Sequence, residues 1–356
     1  MMTGTSLDGI DAALVHFNEA GAPQSLAHAS APFSPQLRSW LFALQRPSLG
    51  EVDLAHRAAI AHADEVAAVV LEILAQAVHE APAPCAVAVH GQTIRHRPDD
   101  GYSVQLLAGA RLAERIGLDV IGDFRAADLA AGGQGAPLVP AFHHAVFATQ
   151  ERRAVVNLGG IANISVVQLH QPTQGYDTGP GNVLLDAWIA RHCGKDFDAG
   201  GAWAAQGKVV PGLLSAMQQH SFFARSPPKS TGREDFHLGW LETLLTGFAQ
   251  AAPVDVQRSL LELSAWSIAR ACVEAACESV WLCGGGAFNA RLAQSVAQAS
   301  GLPVRSVADL GIHPQLVEAC AFAWLGYRFL QREPGNLPAV TGAAKPKVLG
   351  ALWPAS

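Results

Sequence analysis

Four glycine-rich segments carry the residue types that can bind an anion through the backbone. They lie at residues 4–11, 157–163, 177–182 and 283–289. Glycine allows positive φ and lets N–H groups approach an anion without a clash at Cβ. A single segment of this kind is usually an ordinary turn, but three of the four follow a predicted strand. The set therefore predicts local binding of phosphate or another anion by the backbone.

Three of these segments supply the candidate phosphate ligands. They contain no Gly-Lys-Ser/Thr sequence, and none fits G-x-G-x-x-G after a strand, so Walker A and Rossmann sites are disfavoured. Asp8 could hold Mg²⁺ directly or through water, contact a substrate, or only stabilise the turn. The candidates are Gly4, Thr5, Ser6, Leu7, Asp8, Gly9, Ile10, Asp11, Asn157, Gly159, Gly160, Gly284, Gly285, Gly286 and Asn289.

The elements that must position these segments predict an α/β fold in two domains with a cleft between them. At 356 residues the chain is long enough for two hydrophobic cores. Each half begins with a strand, a tight turn and a second strand, at residues 3–15 and 155–167, which suggests a structural duplication. The Gly/Pro-rich stretch 131–137 predicts a hinge. We therefore expect domains at 1–135 and 136–356, with the last helix and tail able to pack back on the first.

Hydrophobic periodicity and chain breakers predict the remaining elements. The predicted strands are 12–15, 85–89, 102–107, 118–122, 154–157, 163–168 and 279–283. The predicted helices are 52–80, 107–116, 182–192, 257–276, 289–300 and 314–330. The polar, proline-punctuated stretch 226–236 is predicted to be an ordered loop.

Composition argues against several classes of function. The net charge of −6 offers no basic surface for nucleic acid or anionic lipid. No window holds the roughly 18 unbroken apolar residues that a membrane span needs. The start of the chain lacks the basic stretch and apolar core of a signal peptide, so we expect a cytoplasmic protein. Six cysteines without a C-x-x-C pair are expected to be small buried thiols in a reducing compartment.

Seven motifs along nearly the whole chain carry a resemblance to a known family. They are residues 4–9 (GTSLDG), 90–96 (HGQTIRH), 122–125 (GDFR), 131–143 (AGGQGAPLVPAFH), 177–182 (DTGPGN), 229–234 (KSTGRE) and 283–289 (CGGGAFN). In the order and amino-acid sequence of these motifs, the chain closely resembles the anhydro-N-acetylmuramic acid kinase family, within the actin, sugar kinase and Hsp70 ATPase superfamily.

The resemblance implies a two-domain actin-like ATPase (ribonuclease H-like) fold, with duplicated α/β domains around a central nucleotide cleft. Two hairpin loops would grip the phosphates of ATP, with Mg²⁺, and the later glycine loop at 283–289 would receive the adenosine. A homodimer is also implied. Family members usually carry several more residues before the first glycine segment, so we expect a shortened strand before Gly4 and a weaker first domain.

The implied activity is that of a phosphotransferase with an alcohol group as acceptor. It converts 1,6-anhydro-N-acetylmuramic acid, ATP and water to N-acetylmuramic acid 6-phosphate, in peptidoglycan recycling and amino-sugar metabolism. This chemistry needs a carboxylate that activates water, as in an inverting glycosidase. It also needs donors and Mg²⁺ for the phosphoryl oxygens, and a closing cleft that excludes bulk water.

The resemblance assigns the base to Asp177, which follows the short predicted strand 175–176 and precedes a predicted turn. From spacing alone, a carboxylate that stabilises an Asx-turn is the better explanation. With Asp177, the implied substrate-binding residues are Gln92, Thr93, Asp123 and Arg125. Arg125 could pair with the lactyl carboxylate of the sugar, or form a structural ion pair.

Other polar residues stay unassigned at this point. His90 and His96, like His143 and His144, match no common zinc spacing and are expected to be structural or substrate-bonding residues. Glu318 is explained by its place in the first turn of a helix. Arg233 could serve the cleft or a dimer contact.

Two alternative functions stay open. The alternatives to the implied activity are another sugar or carboxylate kinase of the superfamily, and a nucleotide-gated binding module that transfers no phosphate. Asp177 favours a kinase.

Overall fold

The computed structural model describes residues 1–4, 7, 9–19, 21–77 and 83–355. Contacts divide the chain into two compact units, which we call the first unit (Met1–Val146 with Leu316–Ser356) and the second unit (Phe147–Gln315). The expected boundary at residue 135 therefore falls within the first unit, and the last helix and tail belong to that unit. The assignment of functional domains stays a prediction.

Strands and helices alternate through both units, which confirms the predicted α/β class. The strands are β1 (Met2–Thr3), β2 (Gly9–Phe17), β3 (Pro23–Pro32), β4 (Ala86–Ala88), β5 (Gln92–Arg97), β6 (Tyr102–Leu106), β7 (Asp119–Gly122), β8 (Arg153–Leu158), β9 (Ile161–Val167), β10 (Gln174–Pro180), β11 (Ser279–Cys283), β12 (Val304–Ser306) and β13 (Ala351–Trp353). The α-helices are α1 (Pro35–Ala43), α2 (Glu51–Ala77), α3 (Gly109–Ile116), α4 (Ala126–Leu129), α5 (Val139–Phe147), α6 (Val183–Cys193), α7 (Pro211–Gln218), α8 (Leu238–Leu245), α9 (Pro253–Glu274), α10 (Ala290–Ser300), α11 (Val317–Leu330) and α12 (Pro338–Thr341). Short 3₁₀ helices lie at Pro98–Asp100, Ala199–Gly201, Ala204–Gln206, Ser221–Ala224, Thr246–Phe248, Gly285–Phe288, Val307–Leu310 and Pro314–Leu316.

The first unit contains three small sheets. One is the antiparallel sheet β1-β2-β3, one has the order β13-β7-β4, and one is the hairpin β5-β6. The alanine-rich helix α2 has two acidic residues in its first turn, Glu51 and Asp53, whose charges interact favourably with the helix dipole. Its apolar face joins β2 and α3 in one core, in which Ala63, Val66 and Leu112 are fully buried. The strand β1 has two residues and pairs with Ile10 and Asp11 of β2.

The second unit is built on one five-stranded sheet of order β10-β9-β8-β11-β12. The strands β8, β9 and β10 form antiparallel pairs, whereas β11 runs parallel to both β8 and β12. All five residues of β11 are buried, as expected for a parallel strand covered on both faces. Three antiparallel strands followed by two parallel ones are the ribonuclease H-like arrangement that the resemblance implies.

Several sequence predictions need correction. No strand was predicted between residues 90 and 101, but residues there form β5, paired with β6. Cys85 and Cys193 are exposed, whereas the other four cysteines are buried as expected. The strand β3 and the helix α1 were not predicted. No helix in the described part of the chain is long and apolar enough to cross a membrane.

A buried carboxylate joins the C-terminal tail to the glycine-rich stretch 131–137. Asp128 has no exposed surface, and its Oδ2 accepts a hydrogen bond from the Gly135 N–H at 2.8 Å. Its Oδ1 accepts from Asn336 Nδ2 at 2.6 Å and from Thr341 Oγ1 at 2.7 Å. A buried charge is tolerated when several donors satisfy it, so this side chain fixes both segments on α4.

Replacing Asp128 by Ala should therefore destabilise the protein strongly. Three buried donors would lose their acceptor, at about 1–3 kcal/mol each, so we expect a loss of roughly 3 kcal/mol or more. The check is the urea midpoint of unfolding, followed by circular dichroism. Asp53→Ala is the control, because Asp53 and its partner Arg57 form an exposed ion pair with 74% and 66% exposed side chains. An Asp128→Ala midpoint equal to that control would contradict the role given to Asp128.

Candidate functional site

In the second unit, a Gly-Gly turn joins β8 to β9 and holds the start of α6. Gly159 and Gly160 form the turn, and the amides of Gly181 and Val183 donate to the Gly160 carbonyl at 2.9 and 3.0 Å. The amide of Asn182 donates to the Gly159 carbonyl at 2.9 Å. These bonds satisfy N–H groups that a helix N-terminus leaves without an intrahelical partner. The predicted segments 157–163 and 177–182 therefore meet.

The third glycine segment of the unit packs against the same turn. The strand β11 ends at Cys283, which pairs with Asn157, and Gly284 then turns with φ +77°. A Cβ at Gly284 would overlap the Asn157 side chain, and one at Gly286 would lie 2.7 Å from Leu158 Cβ. All three predicted glycine segments of the second unit thus lie together at the carboxyl ends of β8 and β11, where α/β sheets commonly bind ligands.

The glycines of this cluster differ in the room beside them. A Cβ added at Gly285 would meet nothing within 4 Å, and one at Gly159 or Gly160 would make only ordinary contacts, at 3.5 and 3.7 Å. These three residues can present backbone N–H groups to a ligand, whereas Gly284 and Gly286 are needed for close packing. Asn289, another predicted ligand, caps α10, since its Oδ1 accepts from the Leu292 N–H at 2.9 Å.

Asp177 lies in β10, where the strand is bulged. Asp177 pairs with Asn163 of β9, but the next pair is Gly179 with Ala162, so Thr178 is an extra residue. The prediction that the strand ends at residue 176 was wrong, because β10 continues to Pro180. A β-bulge re-aims the neighbouring side chains and is frequent beside active sites. The bulge, and not a terminating turn, sets the direction of the Asp177 carboxylate.

The surroundings of Asp177 make its carboxyl group unusually basic. The side chain is largely buried, and this burial raises the pKa of Asp177 to about 6. The negative charge of Glu234 also raises it, while a hydrogen bond from the Thr231 N–H to Oδ2, at 2.9 Å, acts in the opposite direction. No group in the described part of the chain donates to Oδ1, so this oxygen can accept a proton.

In the first unit, the described residues of the first glycine segment follow β1 and lead into β2. The Leu7 N–H donates to the Gly4 carbonyl at 3.2 Å, and Thr3 pairs with Ile10 across the hairpin. Gly9, Ile10 and Asp11 begin β2. The predicted ligands Thr5, Ser6 and Asp8 lie outside the described residues.

Two of the predicted substrate-binding residues have partners within the first unit. Gln92 is fully buried and donates from Nε2 to the Gly4 carbonyl at 3.1 Å. Thr93 Oγ1 accepts from Gln105 Nε2 at 3.1 Å. Gln92 therefore supports the first glycine segment directly, and this role was not expected from the sequence.

Arg125 and His90 form a second support for that segment. Arg125 donates from Nη2 to His90 Nε2 at 2.8 Å and from Nη1 to the Gly135 carbonyl at 2.7 Å. Because Nε2 accepts, His90 is neutral and donates from Nδ1 to the Thr3 carbonyl at 3.2 Å. Burial and the nearby Arg125 charge hold the pKa of His90 well below its ordinary value. The structural interpretation of His90 fits this geometry.

Asp123 and Arg125 are both affected by burial. Asp123 has a left-handed backbone with φ +55°. Partial burial raises the pKa of Asp123, whereas a hydrogen bond from the Ala126 N–H lowers it. Burial lowers the pKa of Arg125 to about 10, and the charge of Glu318 acts in the opposite direction. Within the described residues, no group of three or more His, Cys, Asp or Glu side chains could hold a metal ion.

Comparison with known proteins agrees with the resemblance seen in the sequence. The family model for anhydro-N-acetylmuramic acid kinase matches residues 1–355. The chain belongs to this family. A relative from Burkholderia cenocepacia with that name is 48% identical over 363 residues, covering 99% of this chain and 95% of the relative. One from Bordetella parapertussis is 49% identical over 360 residues, covering 100% and 95%. Among solved structures, a chain of the PilM–PilN type IV pilus biogenesis complex is 15% identical, with a TM-score of 0.43, and covers 90% of this chain and 96% of that one.

Members of this family are kinases. The open glycines have the space that a phosphate would need to approach backbone N–H groups closely. Thr231, Glu234 and the neighbouring Asp235 were missed as parts of the site. Their signals in the sequence were the polar loop at 226–236 and, for Thr231 and Glu234, the motif KSTGRE at 229–234.

The two neighbouring glycines Gly285 and Gly286 provide a matched test of the packing. Gly286→Ala should lower the free energy of unfolding by about 1–3 kcal/mol, because the new Cβ overpacks against Leu158 and Asn182. Gly285→Ala should leave it near the wild-type value, since nothing lies within 4 Å of its Cβ. Urea unfolding measures both. Equal stability of the two variants would contradict the close approach of the glycine segments.

Proposed function

We propose that this family member phosphorylates O6 of 1,6-anhydro-N-acetylmuramic acid with ATP while water opens the anhydro bridge. The product is N-acetylmuramic acid 6-phosphate. The single observation that carries the proposal is Asp177, a carboxylate with a pKa of about 6 and one free oxygen at the start of the glycine segment 177–182. The kinase name of the relatives that match along the full chain supports the same reaction.

The reaction needs one proton acceptor and one phosphoryl acceptor. Asp177 Oδ1 takes a proton from water, and the water oxygen bonds to C1 of the sugar. The bond between C1 and O6 breaks, and O6 takes the γ-phosphoryl group as ADP leaves. The broken C–O bond thus supplies the nucleophile for phosphoryl transfer, and no separate acid is needed to protonate the leaving oxygen.

The basicity of Asp177 suits this role. A carboxylate of ordinary pKa is ionised at neutral pH but is a weak base, whereas a group with a pKa near 6 is still mostly ionised and accepts a proton more readily. Burial of the carboxylate is the main cause of this raised pKa. The Thr231 N–H keeps one oxygen occupied, so the other is left for water.

The nucleotide is proposed to use the open glycines of the second unit. Gly159 and Gly160 would contact phosphate oxygens, and Gly285 would lie beside the adenosine. Mg²⁺ usually takes one or two carboxylates plus phosphate oxygens and water, and Asp8 is the proposed protein ligand. The ion would neutralise charge on the phosphoryl oxygens when bound.

The sugar contacts proposed for the first unit are Gln92, Thr93, Asp123 and Arg125. The bonds of Arg125 to His90 and Gly135 hold its guanidinium in one orientation, which favours pairing with the lactyl carboxylate of the substrate. Gln92 already bonds to Gly4 through Nε2, so its free acceptor oxygen is the atom available to a ligand or water.

The cellular setting is proposed on chemical grounds. All six cysteines are free thiols, and two of them are exposed, which favours a reducing cytoplasm. A role in peptidoglycan recycling follows from the proposed substrate. A homodimer is proposed from the family resemblance alone.

Replacing Asp177 by Asn should abolish turnover, because the amide cannot accept the proton. We expect a fall in kcat of roughly 10²–10⁴-fold with little change in the affinity for ATP. The assay measures ADP release with and without the anhydro-sugar, and titration calorimetry measures ATP binding. Near-normal turnover in the variant would contradict the assignment of Asp177 as the base. ADP release that does not depend on the sugar would instead favour a nucleotide-gated binding module.

The pH dependence of kcat should report the pKa of Asp177. Activity should fall on the acid side with a midpoint near pH 6, because the base must be deprotonated. Glu234→Gln removes a charge that raises this pKa, so the midpoint should move to lower pH. Glu242→Gln is the control, since Glu242 lies on α8 and forms its ion pair with Arg191 of α6. Unchanged midpoints in both variants would contradict the electrostatic account of Asp177.

A further inference from the structure

The loop at residues 226–236 is anchored in the core of the second unit. Phe236, at its end, is fully buried and lies 5.8 Å from Phe222, 5.7 Å from Phe223 and 5.6 Å from Trp240, measured between ring centroids. Such aromatic contacts resist displacement. The end of the loop therefore has a well-defined position.

The same loop contacts Asp177 at two backbone positions. The Asp177 N–H donates to the Lys229 carbonyl at 3.0 Å, and the Thr231 N–H donates to Asp177 Oδ2 at 2.9 Å. The loop thus runs beside the bulged strand β10 and directly contacts the carboxylate. A shift of the loop would change where that carboxylate points.

One side-chain bond closes the loop between these contacts and the buried anchor. Thr231 Oγ1 donates to Asp235 Oδ2 at 2.7 Å, and Asp235 immediately precedes Phe236. The amides of Asp235 and Phe236 also donate to the Gly232 carbonyl, at 3.2 Å each. A charge-assisted bond of this length is among the stronger hydrogen bonds in proteins.

We propose that Thr231 and Asp235 are a positioning pair that holds the Asp177 carboxylate in its reactive orientation. The inference rests on the proposed function, because it takes Asp177 as the base. Asp235 fixes the Thr231 side chain, Thr231 presents its N–H to Oδ2, and Oδ1 is left free. Neither residue needs to touch the substrate.

The pair also affects the charge state of the base. The Thr231 N–H stabilises the ionised form of Asp177 and so lowers its pKa, whereas burial and the Glu234 charge raise it. Glu234 lies between Thr231 and Asp235 in the same loop, so the loop supplies both opposing effects. Lys229, one of the two cations in the loop with Arg233, lies over the Phe222 ring at 4.6 Å. Losing the Thr231 N–H bond while the carboxylate stays buried beside Glu234 should therefore raise the pKa of Asp177.

The experiment compares disruptive and conservative variants of the pair. Thr231→Val and Asp235→Ala remove the side-chain bond, whereas Thr231→Ser and Asp235→Asn keep a donor and an acceptor. Thr243→Val is the matched control, because Thr243 makes an exposed bond to the Gly239 carbonyl in α8. For each protein we would measure kcat, the KM values for the anhydro-sugar and for ATP, the pH profile of kcat, and thermal unfolding.

The disruptive variants should lose kcat by roughly ten- to hundredfold, since small misplacement of a reacting group costs that much. Their KM for ATP should stay near the wild-type value, and the acid limb of the pH profile should move to higher pH. The conservative variants and Thr243→Val should resemble the wild type.

Other outcomes would overturn the proposal. A purely structural bond would lower activity in proportion to the folded fraction and leave the midpoint of the acid limb in place. Wild-type kcat in Thr231→Val would also reject the pair. If Asp177→Asn stays fully active in the same assay, or the wild type does not convert the anhydro-sugar, the proposed function fails, which is a distinct result.

Discussion

Segments in the second unit approach one another so closely that no Cβ fits at three of the glycines between them. Gly181 lies against the Gly159 carbonyl, Gly284 against Asn157, and Gly286 against Leu158 and Asn182. This steric constraint brings the hairpin turn, the start of α6 and the loop after β11 to one end of the sheet. The open glycines owe their common location to it. A Cβ at Gly181, Gly284 or Gly286 would move at least one segment away from the others.

The electrostatics of Asp177 depend on its burial and on the loop at 226–236. Burial disfavours the charged carboxylate, and one backbone N–H partly compensates. A buried carboxylate with two or three such bonds would have a low pKa and would be a poor base. A carboxylate in water would keep its ordinary pKa. Asp177 matches neither case: burial raises its pKa to about 6, because the bulge at Thr178 and the loop at 226–236 give the buried carboxylate a single donor.

Much of this arrangement could be predicted from the sequence, because its signals are local. Glycine spacing predicted the turns at 157–163 and 283–289, and apolar periodicity predicted α2, α6 and α10. The strand β3 was missed because its alanine, serine and histidine residues have weak strand propensity, and its pairing with β2 defines it. Thr231 could not be linked to Asp177, since the two residues are 54 positions apart. Gln92 and His90 were recognised as a motif, but their contacts to Gly4 and Thr3 depend on tertiary structure.

The central claim is that O6 leaves C1 and accepts the phosphoryl group in one turnover, with water as the nucleophile at C1. It can be tested with anhydro-N-acetylmuramic acid carrying ¹⁸O in the 1,6-bridge, turned over with ATP and followed by phosphorus NMR. The account predicts a sugar-phosphate resonance with the isotope shift of an ¹⁸O bonded to phosphorus. A sugar phosphate without this shift, or inorganic phosphate in place of a sugar phosphate, would contradict it.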